Sequence, residues 1–374
     1  MFWHRPTQSS PAQRYAATLV NQFPTTGLSA IYADQVRHLI DYVKRSYTGE
    51  HRELLHRIPL IVLGRSDLDV CVTTVPGFPK EAIILIGPKY LISLHLMLRI
   101  GFWLFFHYQS VNESILSDLG YELVQLFASL TLHVPSQQTQ LTRAVDDDAE
   151  LRQSAIDQEA LYDCIVFIIL HEFMHVASGH LSSSAKRRSR LLRNRPTEFY
   201  RFSQECETEA DHRAASFLFS LGPKPPEANP FLPPGTFRDA APFFACTFIG
   251  AMDYLRFISE ASLIKRFEST FRRADFTDVD SIVTIQKTHS THPFGMDRWQ
   301  GLMDAFGERM NDHNRNMAIQ FAQYVYQGLS KLDSRSWTLL DNYANELLAQ
   351  PTARFISNLN ALAAIVNEQD SGTN

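Results

Sequence analysis

Cysteine is scarce in this chain of 374 residues. There are four, Cys71, Cys164, Cys206 and Cys246, and no C-x-x-C pair among them. That pattern excludes a disulfide-stapled scaffold and an all-thiolate zinc module, and it suits free thiols in a reducing compartment. No uninterrupted apolar segment follows Met1-Phe2-Trp3-His4-Arg5-Pro6, so no secretory signal is expected. The most apolar window, Tyr90 to Tyr108, is interrupted by His95, Arg99 and His107. A spanning helix needs about twenty largely uncharged residues, so this window reads as a core helix without membrane contact. Excess positive charge is missing too: the formal net charge of −5 argues against nucleic acid as the main partner. No internal repeat is evident. These absences lead to the expectation of a cytoplasmic globular protein whose function must be read from its motifs.

What is present is an apolar run from Leu161 to Leu170 that closes in His171-Glu172-Phe173-Met174-His175, an H-E-x-x-H pattern. Helical residues four apart lie about 40° from each other around the axis, so both imidazoles project from one face and can hold one ion. Glu172 stands beside the first histidine, where its carboxylate reaches a water on that ion rather than the ion itself. This is the arrangement of a zinc hydrolase, with two nitrogen ligands, a general base, and room for a third ligand and a water. Three ionisable groups closing a buried helix are costly unless something satisfies them, and a metal would do so.

About thirty residues later comes Glu205-Cys206-Glu207-Thr208-Glu209-Ala210-Asp211. Glu207 and Asp211, four apart, share a helix face. Glu207 is the expected third ligand of a single Zn²⁺ per chain, and Asp211 the acceptor that fixes the tautomer of a ligand imidazole. Glu209 is expected to leave metal content unchanged when removed. Small Ala210, Ala214 and Ala215 let this helix approach the first one closely. His180, nine residues after His171, falls about 180° further round a continuing helix, which makes it a capping or packing residue. A third segment, Ser290-Thr291-His292-Pro293, reads as a turn able to hold an imidazole at a cleft edge, where it can steady an oxyanion.

Together these residues resemble the gluzincin metallopeptidases of the CAAX prenyl protease and HtpX-like family. The resemblance rests on His171, Glu172, His175 and His180, then Glu207, Ala210 and Asp211, then Thr291, His292, Pro293 and Arg298. It covers roughly residues 160 to 300. It implies a zinc metalloendopeptidase with Glu172 as base and with His292 or Arg298 sharing the charge on the attacked carbonyl. Family members are typically membrane-embedded or exported, which this chain does not suggest. A weaker resemblance, on the H-E-x-x-H and the acidic follow-up alone, is to the phage-exclusion protease Lit family of intracellular peptidases that act on a host protein. A non-catalytic zinc-binding regulator is the alternative from another class. The implied partner of the peptidase readings is a protein or peptide substrate.

The expected fold is α+β and mostly helical, a zincin-like core with a small antiparallel sheet ahead of the active-site helix. Residues 11 to 48 read as two helices. Ile58 to Leu63, Val70 to Val75 and Ala82 to Ile86 read as strands, whose edge can hold an extended peptide. Helices follow at about 90 to 108 and 112 to 133, then a loop from Pro135 to Arg143. Asp146-Asp147-Asp148 precedes a long helix from about 149 to 181, with its charge complementing the helix dipole. The basic stretch from Lys186 to Arg195 carries six positive charges, and the proline-rich stretch from Gly222 to Gly235 is a loop. Helices are expected near 237 to 258 and 260 to 273, and from Arg298 to about Val366, with a disordered tail. The organisation expected is an N-terminal part (1–148), the metallopeptidase core (149–310) and a helical extension (311–374).

Overall fold

The computed structural model describes residues 10–64, 70–131, 139–149, 151, 156–182, 185, 196–221, 237–267 and 295–349. The basic stretch, the proline-rich stretch, Thr291, His292, Pro293 and the residues beyond 349 lie outside them. In chain order the elements are α1 (Pro11–Gln22), α2 (Leu28–Ser46), α3 (Arg52–Arg57), β1 (Leu60–Val62), β2 (Cys71–Val75), β3 (Phe78–Ile86), α4 (Pro88–Phe106), α5 (Glu113–Thr131), α6 (Gln140–Asp147) and α7 (Ile156–Ala177). After these come α8 (Pro196–Ser220), α9 (Ala241–Phe267), α10 (Gly295–Phe306), α11 (Asp312–Ser330) and α12 (Ser334–Ala349). The fold is mostly helical with one small sheet.

That sheet is mixed rather than antiparallel. Its order is β1-β3-β2, with β1 parallel to β3 and β2 antiparallel to it. Ile83, Ile84 and Ile86 of the central strand are all buried, so side-chain alternation cannot reveal which neighbour runs which way. β2 is bonded on one side only among the described residues. This edge strand also lies against α7.

Three further expectations need correction. Residues 140–147 form a helix, not a loop, because Thr139 and Thr142 close a reciprocal cap: Thr142 N–H donates to Thr139 Oγ1 (3.0 Å) and Thr139 N–H to Thr142 Oγ1 (2.8 Å). Asp146 and Asp147 therefore end α6 instead of opening the active-site helix, while Asp148 accepts from the Leu151 amide at 2.8 Å. Asp157 and Glu159 occupy the first turn of α7 and complement its dipole. The two helices expected behind the site are one, α9, unbroken from Ala241 to Phe267.

α7 is the axis of the molecule. It packs against α2, α4, α8, α9, β2 and β3, and its residues from Ala160 to Leu170 are buried on every side. A helix that is apolar all round is a helix surrounded by protein. Pro88–Phe106, Ile156–Ala177 and Ala241–Ser259 are each long and apolar enough to cross a membrane by length and composition, and in each most of the apolar window is buried within the protein.

α10 is brought in by a close approach to α9. A Cβ on Gly250 would stand 2.6 Å from the Cα of Gly295, so only two glycines allow these backbones to meet. This contact sets Arg298, one turn into α10, in the interior beside α8.

Candidate metal and active site

His171 and His175 lie in the last two turns of α7 and are both buried. Glu207, on α8, faces them. Nε2 of His171 is 3.1 Å from Nε2 of His175, and the two carboxylate oxygens of Glu207 lie 3.4 Å from the first and 3.5 Å from the second. These three are a group of residues able to hold a metal ion. Four ligands tetrahedrally placed at about 2.05 Å from zinc stand about 3.3 Å from one another. These donor-to-donor spacings are close to that value, so the donor set fits Zn²⁺ both in ligand type and in size.

Behind His171, its Nδ1 lies 2.9 Å from Oδ1 of Asp211. At this distance between buried groups the attraction is strong. Asp211 in turn is held by Arg298 from α10, whose Nε donates to Oδ2 at 2.7 Å and whose guanidinium NH₂ donates to Oδ1 at 2.6 Å. Both side chains are almost wholly buried, at 2% and 1% exposure. Burial alone would raise the Asp211 pKa, but the Arg298 and His171 charges outweigh it and hold the carboxyl down at about 2. Burial likewise pushes His171 toward neutrality, while Asp211 and Glu207 override it and push its pKa up to about 10. The pocket attracts positive charge. Arg298, read from sequence as a partner for the oxyanion, instead turns its donors on Asp211.

Glu172 lines the same cleft on its β2 side. Burial raises its pKa, the neighbouring His171 and His175 pull it down, Glu207 raises it, and the amide of Val72 hydrogen-bonds its carboxylate. A cleft of about 290 Å³ opens here, lined by His171, Glu172, His175 and Glu207, by Val70, Cys71 and Val72 at the β2 side of the sheet, and by Met252 and Arg256 of α9.

His180 is where sequence reasoning falls short. α7 stops at Ala177, and the chain turns at Gly179 with φ of 75°. The amide of Gly179 donates to the carbonyl of Val176 (3.0 Å) and that of His180 to the carbonyl of His175 (2.9 Å). This is a Schellman closure, in which glycine supplies the left-handed residue. It folds His180 back over His175, their Nδ1 atoms 2.9 Å apart, instead of carrying it to the far face. Nε2 of His180 then meets Oε2 of Glu209 at 3.1 Å. The Ser178-Gly179 pair is the signal for this stop. His212 packs edge-to-face on Phe306, away from the ligands.

Comparison with known protein families gives a match to Peptidase U49 over residues 119–285. The span runs from α5 into the residues past α9 and includes both ligand helices, but ends before His292 and Arg298. No curated protein and no solved structure matches. The match supports a peptidase, a hydrolase with a protein or peptide substrate. It does not extend to the CAAX prenyl protease and HtpX-like family, and it agrees with the weaker Lit-like resemblance.

Proposed function

We propose that this chain is a zinc-dependent endopeptidase of the Lit-like kind, acting on a protein substrate in the cytoplasm. The observation that carries the reading is the cluster of His171 Nε2, His175 Nε2 and the Glu207 carboxylate, with the two nitrogens 3.1 Å apart, one carboxylate oxygen 3.4 Å from His171 and the other 3.5 Å from His175, opening on a cleft with Glu172 beside it. Bound Zn²⁺ would supply Lewis acidity, polarising the scissile carbonyl and making water acidic enough to lose a proton near neutral pH.

The chain's own residues do the rest. Glu172 takes the proton from the attacking water and hands it to the leaving amine. Its raised pKa suits both halves of that exchange, since a base works best when its pKa lies nearer the working pH. The Val72 amide of β2 hydrogen-bonds the Glu172 carboxylate. On the same strand, the outer edge of β2, which pairs with no further strand among the described residues, can receive an extended substrate. Asp211 aims His171, and Arg298 holds Asp211 in place. His292 is the residue left to share charge on the attacked carbonyl.

The test is Glu172→Gln, assayed by cleavage of an unfolded protein pool with new termini read by mass spectrometry. Cleavage should vanish while zinc stays near one per chain, and Glu207→Ala should lower zinc itself. Retained cleavage in Glu172→Gln would remove Glu172 as the base, and a wild-type chain that binds no zinc would remove the metal.

A further inference from the structure

We infer that His180 and Glu209 are positioning residues for His175, an outer support that parallels the Asp211–Arg298 support of His171; this rests on the zinc-site reading. The geometry is a chain of four groups. His175 Nδ1 meets His180 Nδ1 at 2.9 Å, His180 Nε2 meets Glu209 Oε2 at 3.1 Å, and Glu209 Oε1 meets Arg213 Nε at 3.1 Å. His180 is held over His175 by its own backbone, through the amide bond to the His175 carbonyl and the left-handed Gly179. The two rings lie with centroids 5.1 Å apart at 67°.

A metal on Nε2 of His175 settles every proton along this line. A neutral imidazole that ligates through Nε2 must carry its hydrogen on Nδ1. Among the described residues, the partner placed for that hydrogen is the lone pair on His180 Nδ1. The hydrogen of His180 is then on Nε2, where it donates to Glu209. One arrangement of tautomers satisfies all the groups, so Glu209 supports His175 at one remove, through a neutral ring.

The two supports are unequal. Asp211 is buried and touches its histidine directly, whereas Glu209 is 44% exposed and acts through His180. Glu209 is therefore part of the site rather than the bystander its spacing suggests, but with a screened and weaker effect.

Competition for zinc against a chromophoric chelator, on the full chain at pH 7.5, tests this. Outer partners of ligand histidines are worth about tenfold to a hundredfold in metal affinity. His180→Ala should weaken zinc by a factor in that range, while the melting temperature of the metal-free protein stays where it was. His180→Asn, whose amide oxygen falls near the position of Nδ1, should recover most of the loss. Glu209→Gln, on a half-exposed face, should show a smaller loss, and it carries the test if His180→Ala does not fold. Wild-type affinity in both His180→Ala and Glu209→Gln overturns the inference, as does a loss in His180→Asn equal to that in His180→Ala. A wild-type chain that takes up no zinc overturns the metal reading and this inference with it, a result distinct from the first two.

Discussion

The ion pair of Asp211 and Arg298 makes a demanding test, because stability and metal binding should part company there. Arg298→Met leaves a carboxylate buried at 2% exposure without its guanidinium, and Asp211→Leu leaves the guanidinium at 1% exposure without its carboxylate. Removing one partner of a buried pair costs about 3–5 kcal/mol, because the survivor is an uncompensated charge. If the two losses simply added, the double variant would lose about 6–10 kcal/mol, comparable to the whole stability of an ordinary domain. The structure argues otherwise. In Asp211→Leu/Arg298→Met no charge is stranded, and what remains is the unanswered Nδ1 of His171, about 1–3 kcal/mol. The double variant should thus be more stable than either single one. Zinc affinity should not recover, since His171 still lacks its acceptor, and should stay about tenfold to a hundredfold below wild type. Urea unfolding of the metal-free proteins at pH 7, beside chelator competition, reads both quantities. A double variant as unstable as the sum of its singles, or one that binds zinc like wild type, refutes this role for Asp211.

Two other residues give independent checks. Glu122 on α5 is buried, and burial lifts its pKa to about 7, with Gln125 donating to it at 2.9 Å while Asp118 and Asp146 add repulsion. A raised carboxyl pKa stabilises the fold fully below the unfolded value near 4.5, and that contribution is lost as pH rises through about 7; Glu122→Gln should flatten this part of the pH–stability curve by roughly 3 kcal/mol, and an unchanged slope between pH 4.5 and 7 would show that Glu122 does not titrate in this window. Gly250→Ala would force α9 off Gly295 of α10 and should cost about 1–3 kcal/mol in denaturant unfolding; a neutral result would mean that the close approach does not hold Arg298 in place.

Long elements with a single strong period are legible in the sequence, and junctions between elements are not. α4 and α5 fall within two residues of the expected helices at 90 to 108 and 112 to 133, because their apolar residues continue for five turns. α6 escapes a reading of the sequence because its signal is a pair of threonines, Thr139 and Thr142, whose cap is visible only once each is seen to bond the other's amide. The direction of β1 is equally hidden. Strand order and sense depend on which edge of β3 each neighbour joins, and a strand of buried isoleucines presents both edges alike.

The site divides along a similar line. His171 and His175 on one helix, and Glu207 and Asp211 on the other, come together as their spacings of four predict, since within one helix the period alone fixes which side chains share a face. The period fails at the point where the helix ends. Extending 100° per residue past Ala177 puts His180 on the far side, but the left-handed Gly179 reverses the chain there and delivers the imidazole to its own helix's ligand. The same geometry sets Glu209 aside, two residues from Glu207 and so off the metal-facing side, yet that position is where the folded-back His180 needs a carboxylate. Both omissions thus have one cause, a helix terminus. A C-terminal glycine two residues beyond a metal-binding helix marks the place where periodicity should be dropped and the returning chain searched for supporting residues.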